Sequence, residues 1–332
     1  MSEGPGRMGD ARNESPRAAR QRGAGSPAGA SRLRVGSTSW WRRFLARGVF
    51  WRWLLRYAVL NVPIWIEPVV IASWSLFFLL WASARRGVMR NLKAIKPGST
   101  SVANFFRSYR VFWNFAWTLA DNVRFKESHV IPDWEFTGYE HFEAMQTSGG
   151  AILLTAHMGS YDLGAHLFAE RSGHRIIMVR APEIDPETHE FEEKHRAEEL
   201  RVEFNVKASD LALDLLHAIR EGGIVAVQGD RVTQGIADLP ATLFGKPTRL
   251  PAGPFALAMA ARAPIHPVFI VRVGRRRYRV IAFPPITIAP TRERETAFAA
   301  ALETWTKELE DVIRTRWYQW FTFEPFSSEL AE

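Results

Sequence analysis

A histidine followed five residues later by an aspartate, His157 and Asp162 in "AILLTAHMGSYDLGAH", is a pair of residue types able to do acid–base chemistry. On one continuous helix, residues five apart point about 140° away from each other. The two side chains can therefore meet only if the chain turns between them. That places His157 in a strand–helix loop and Asp162 in the first turns of the helix. Gly159 lies between them and permits such a turn. The carboxylate would then hold one ring nitrogen as N–H and leave the other as a lone-pair base. A plainer reading stands beside this one: Asp162 complements the positive helix N-terminus, and His157 is an ordinary loop residue.

The elements that must position the pair follow from hydrophobic patterning. "AILLTA", "RIIMVR" and "IVAVQ" read as buried strands, and "IHPVFIVR" and "YRVIAF" as two more. Helical stretches separate them: 160–171, a polar helix from Asp185-Pro186, 209–220, 253–262 and a long closing helix over 291–317. Ahead of these, Ser101 can cap a helix whose apolar stripe runs from Val102 to Ala120. Strands alternating with helices predict an α/β fold, a central and mainly parallel sheet flanked by helices. In such sheets, ligands bind beyond the carboxyl ends of the strands. Three strands here end in polar residues that a buried strand does not need: His157, then Arg180, then Gly229-Asp230-Arg231. Arg180 and Arg231 are the cations best placed to bind phosphate or carboxylate. Each also has an acid close in sequence, Glu183 and Asp230, that could neutralise it.

The net charge of +8 is unevenly spread. Residues 1–56 hold 12 arginines against Glu3, Asp10 and Glu14, while the rest of the chain carries 31 basic and 32 acidic side chains. A neutral body argues against nucleic acid as a partner and makes an anionic membrane surface the better match for the basic head. Residues 1–38, rich in Arg, Gly, Ser and Pro, read as a disordered tail. Residues 39–98 alternate arginine with aromatics and then turn apolar, which suits an amphipathic and membrane-anchoring helical segment. Pro63, Glu67 and Pro68 interrupt the apolar run, and arginines flank it on both sides. A kinked segment that returns to its own side of the bilayer satisfies both flanks better than a single span. Residues 99–328 then form the α/β domain. The chain has no cysteine, so thiolate nucleophiles and cysteine-based metal sites are excluded. It also lacks a Gly-x-Ser-x-Gly elbow, a phosphate-cradling Gly-Lys loop and a dinucleotide fingerprint.

The blocks "GGAILLTAHMGSYDLGAHL", "MVRAPEIDPETHEFEEKHR", "VAVQGDR" and "LPATLFGKPTRLPAGPFALAMAARAPIHPVFIVR" follow the order seen in the late acyltransferases of lipid A biosynthesis. The likeness runs from about Trp40 to Phe326 and includes the aromatic ending "RTRWYQWFTFEPF". The chain thus resembles that lauroyl/myristoyl transferase family, a branch of the glycerolipid acyltransferase superfamily. The resemblance implies transfer of an acyl chain from acyl carrier protein or acyl-CoA to a membrane lipid hydroxyl. It places the chain at the bacterial inner membrane, with the catalytic domain on the cytoplasmic face, and it implies neither cofactor nor metal. His157 would match the general base and Arg180 an arginine for the substrate's polar part. Asp230 would match a polar position after the third strand, and Gly159 and Gly253 small residues beside the substrate. Asp162 stands where the lipid A enzymes carry glutamate and the wider superfamily aspartate, which leaves the acceptor open: a lipid A precursor, a lysophospholipid or a related lipid. "LFGKPT" has Leu243 where that family has phenylalanine. Two other readings remain: a metal-dependent hydrolase using His157, Asp162 and His166, and an inactive lipid-binding protein of the same fold.

Overall fold

The computed structural model describes residues 49–172, 174–180, 200–204, 209–232 and 236–330. The tail over 1–38 and the helix expected from Asp185 lie outside the described residues. The strands are β1 (Asp133–Thr137), β2 (Ala151–Thr155), β3 (Ile176–Arg180), β4 (Leu200–Phe204), β5 (Ile224–Gln228), β6 (Asp238–Leu243), β7 (Lys246–Pro251), β8 (Ile265–Gly274) and β9 (Arg277–Ala282). The helices are α1 (Val49–Asn61), α2 (Glu67–Leu80), α3 (Ala82–Ile95), α4 (Ser101–Ser128), α5 (Tyr139–Gln146), α6 (Tyr161–Ser172), α7 (Ser209–Arg220), α8 (Gly253–Ala261) and α9 (Arg294–Arg316).

Seven strands form one sheet in the order β1-β9-β8-β2-β5-β3-β4. Every pairing is parallel except the β8–β9 hairpin. The expected mainly parallel α/β architecture is therefore present. Its two faces are covered by different helices. Leu215 of α7, Phe255 of α8 and Trp305 of α9 pack on one side with Ile152, Leu154 and Phe269. Phe125 of α4, Phe142 of α5 and Leu163 of α6 pack on the other with Leu153 and Ile270. β2 is buried along its whole length, as a strand covered on both faces must be.

The α4 helix is capped by Thr100, whose hydroxyl accepts from the Ala103 N–H, so the cap falls one residue before the serine expected to supply it. Its central stripe is core, with Phe112, Ala116 and Ala120 buried, but Val102 and Phe106 at its start are exposed. "LFGKPT" is the β6–β7 turn: Phe244 and Gly245 both have positive φ, as a two-residue hairpin of that hand requires.

Glu67 and Pro68, read from sequence as breaks in an apolar run, are the start of α2, with Pro68 in the first turn. No single described helix is long and apolar enough to cross a membrane; α2 and α3 together are, but they are bent by 86° at Trp81. Glu67 is buried and ion-paired at 2.7 Å to Arg124 of α4 and at 2.6 Å to Arg275 of the β8–β9 turn. One face of α2 therefore faces the body, with Ile71, Ser75 and Leu79 buried, while Val69, Leu76 and Leu80 face outward and are exposed.

Candidate active site

After β2 the chain turns sharply through His157, Met158, Gly159 and Ser160 into α6. Three backbone groups of this loop are held by other elements. The His157 carbonyl accepts from Phe321 N–H, Gly159 N–H donates to the Gln319 carbonyl, and Ser160 N–H donates to the Ile270 carbonyl. Gly159 has φ +54°, and a Cβ there would sit 1.8 Å from the Ile270 carbonyl oxygen. Only glycine fits, because the loop lies directly against β8. The Ser160 hydroxyl donates to Asn122 of α4 at 2.7 Å and fixes the start of α6.

The imidazole turns toward the end of β5. Its Nδ1 is 2.8 Å from Oδ1 of Asp230, which also accepts the His157 backbone N–H at 3.2 Å. Oδ2 of Asp230 accepts from the Trp320 indole N–H at 2.9 Å, and the carboxylate has no solvent exposure. Burial by itself pushes this carboxyl up. The facing His157, through its field and its ring N–H, the Arg231 charge and the Trp320 donor outweigh it and hold Asp230 well below the usual carboxylate range. Arg231 Nε donates to His157 Nε2 at 3.2 Å. A guanidinium can only donate, so Nε2 is the accepting nitrogen and Nδ1 carries the proton that Asp230 receives. The ring itself is one-fifth exposed, at 19%. It packs edge-on against Tyr161 with centroids 5.8 Å apart.

The carboxylate on His157 is thus Asp230, not Asp162 as the spacing suggested. Asp162 does sit in the first turn of α6, half-buried, where it complements the helix N-terminus. Among the described residues its side chain makes no hydrogen bond or ion pair. The reason is that the backbone N–H of His157 and its ring are both satisfied by one oxygen from the neighbouring strand end. β2 and β5 pair in parallel with Thr155 opposite Gln228, so the residues that follow them emerge side by side. The chain leaves β2 through α6 on one face and leaves β5 toward α8 on the other. Such a divergence of connections opens the crevice that α/β sheets use for ligands.

Arg180 closes β3 at the same edge, since β3 runs parallel to β5; its side chain lies outside the described residues. Gly253 opens α8, and a Cβ there would meet nothing within 4 Å. His166 is buried on α6 beside Phe125. Among the described residues no group of three His, Cys, Asp or Glu side chains is arranged to hold a metal ion.

Next to the pair, Asp230, Arg231, Pro240, Arg249, Thr322 and Phe326 line a cleft of about 480 Å³ between the β6–β7 hairpin and the C-terminal segment. Beneath α6, Thr155 Oγ1 and Gln228 Nε2 lack partners and border a small apolar cavity of about 20 Å³. Sequence reasoning missed the two residues that hold the site together from the C-terminal end. Trp320 donates to Asp230, and its neighbour Gln319, fully buried, exchanges two hydrogen bonds with the backbone of Arg272 at 2.6 and 2.7 Å. The aromatic ending was visible as a pattern, but its side chains could not be matched to the loop without the fold.

An α/β sheet with a carboxylate-oriented histidine at the divergence of β2 and β5 defines a class of protein that can take a proton from a hydroxyl at a cleft. The family model for bacterial lipid A biosynthesis acyltransferases matches residues 59–325. The chain belongs to that family, whose activity is acyl transfer to a lipid acceptor. A comparison with curated proteins returns no match.

Proposed function

We propose that the protein moves a fatty acyl chain from a thioester, on acyl carrier protein or CoA, to a hydroxyl of a membrane lipid, with His157 as general base. The observation that carries this reading is the tautomer: Nδ1–H is committed to Asp230, so Nε2 has the lone pair. As the lipid oxygen attacks the thioester carbonyl carbon, its proton passes to Nε2. The C–S bond then breaks, and the proton goes to the departing sulfur, giving an ester and a thiol. A lipid alcohol is a weak nucleophile at neutral pH, and general-base help of this kind contributes typically about 10²–10⁴-fold. The thioester needs no prior activation, so no nucleophilic serine or cysteine is required. Arg231 now occupies the position from which the lipid hydroxyl must approach. Its displacement by substrate frees the base and leaves a cation near the oxygen that becomes negative.

The acceptor reading fits the outward apolar residues of α2 and of the turn before it, including Trp65 at 75% exposure, which suit contact with a bilayer. Thioester donors are made in the cytoplasm, so the cytoplasmic face of a bacterial inner membrane is the location that joins both substrates. The experiment uses full-length protein in mixed micelles with labelled acyl-acyl carrier protein or acyl-CoA and bacterial lipid extract. Wild type forms a labelled ester product. His157→Ala loses at least 10²-fold in kcat while keeping its melting temperature. Undiminished turnover by His157→Ala overturns the mechanism.

A further inference from the structure

A second cavity, of about 540 Å³, lies away from the His157 cleft, between α4, the end of β8 and the C-terminal aromatic segment. Tyr109, Arg110, Asn114, Arg272 and Tyr318 supply its polar wall, and Ala72 of α2 closes one side. No carboxylate lines it. Arg110 lies at its exposed rim with its guanidinium 3.9 Å from the centre of the Tyr318 ring. Stacking of this kind fixes the plane of the guanidinium and leaves the edge of its fork free to donate two parallel hydrogen bonds. Among the described residues Arg110 has no acidic partner. Arg272 is the inner cation, with a side chain only 10% exposed. Its nearest carboxylate, Asp121, is 3.6 Å away, and its buried Nε has no hydrogen-bond partner. Two guanidinium-bearing residues therefore border one cavity that no carboxylate lines, with the stacked Arg110 fork available at the rim, an arrangement suited to an oxyanion.

We propose that this cavity binds the anionic group, phosphate or carboxylate, of a lipid headgroup. The proposal rests on the acyl-transfer reading only for its choice of lipid, and it adds a subsite that the His157 cleft does not contain. The lipid source is favoured over a free anion or the donor's phosphate by position. The wall formed by Ala72 belongs to α2, whose Val69, Leu76 and Leu80 point outward as an apolar face. A headgroup in the cavity would leave its chains beside that face. The cavity is also joined mechanically to the catalytic loop. Gln319 holds the Arg272 backbone on one side and the Gly159 N–H on the other, and the next residue, Trp320, holds Asp230. A headgroup docked on Arg110 and Tyr318 thus presses on the segment that supports the base.

The test is binding, made without any thioester, so a protein that transferred nothing would still give a result. Full-length protein in neutral-detergent micelles is titrated with dodecyl phosphate, with inorganic phosphate and with CoA, following thermal stabilisation. Wild type is saturably stabilised by dodecyl phosphate, and inorganic phosphate binds more weakly. Arg110→Gln weakens the apparent Kd for dodecyl phosphate at least tenfold. Arg110→Lys weakens it less, because the charge stays while the two-pronged geometry goes. CoA binding is unchanged in both. Arg110 is exposed and its replacement leaves the buried Arg272–Asp121 pair intact, so the variant tests the site and not the fold. Unchanged dodecyl phosphate affinity in Arg110→Gln overturns the site. A loss seen with CoA instead assigns the cavity to the donor and overturns the lipid assignment.

Discussion

At the level of single residues, the choice between two carboxylates is decided by which strand end lies beside the histidine. Spacing along the chain favoured Asp162, because a turn at Gly159 could fold it back. The turn is there, yet the ring faces the neighbouring strand, and strand order is not legible from local sequence. The sequence offers Asp230 as a polar strand end, a neighbour for Arg231 and a substrate-binding candidate; its partnership with His157 depends on β5 lying next to β2. This separates the two carboxylates by experiment. Asp230→Asn keeps the size and the Trp320 contact but offers Nδ1 an amide in place of a charge. A loss of roughly 10²–10⁴-fold in kcat with little change in KM is expected for a misoriented base. Asp162→Asn, which removes no contact to the ring, should lose less. Steady-state kinetics on both variants, with melting temperatures as a control for folding, settles the assignment. A deeper loss in Asp162→Asn than in Asp230→Asn would return the orienting role to Asp162.

At the level of elements, the apolar strands and the long helices are what period and composition reveal best. β2, β3 and β5 fall within the stretches expected to be strands, and β8 and β9 overlap theirs but run past an end by one or two residues, since a strand buried on both faces reads as an unbroken apolar run. β1, β4 and the β6–β7 hairpin are missed because they lie at or outside the sheet's edge and carry no apolar run to mark them. Glu67 is the more instructive element-scale error. A charge inside an apolar run reads as a break, whereas here it is the point where α2 is fastened to α4 and to the β8–β9 turn. Glu67→Ala leaves Arg124, whose side chain is 10% exposed, buried without its counter-charge. Removing one partner of such a pair costs about 3–5 kcal/mol. Denaturant unfolding in neutral detergent should show a loss of that size for Glu67→Ala, and a smaller one for Glu67→Gln. A change below about 1 kcal/mol, the worth of an ordinary surface pair, would mean that α2 is not held by this cluster.

On the scale of the whole molecule, the N-terminal helices are part of the body, and α2 also turns an apolar face outward. Asn91 of α3 donates to the Thr322 and Glu324 carbonyls and accepts from Phe326 N–H, while a Cβ at Gly87 would sit 1.9 Å from the Phe323 carbonyl oxygen. Truncating the chain through α3 would therefore unroof Phe112, Trp117 and the aromatic ending along with any anchor. A sharper test changes only the outward face. Val69→Ser, Leu76→Ser and Leu80→Ser together touch residues that are 62%, 50% and 66% exposed, so folding stability should barely move. If these side chains enter the lipid, each contributes on the order of 1.5–3 kcal/mol of apolar transfer when fully buried. Flotation with anionic vesicles in moderate salt isolates that contribution, because salt screens the arginine attraction and leaves apolar insertion in place. The triple variant should partition at least tenfold more weakly than wild type, a difference of about 1.4 kcal/mol. Equal partitioning after the salt wash would place the membrane contact outside α2 and detach the headgroup cavity beside Ala72 from any bilayer surface.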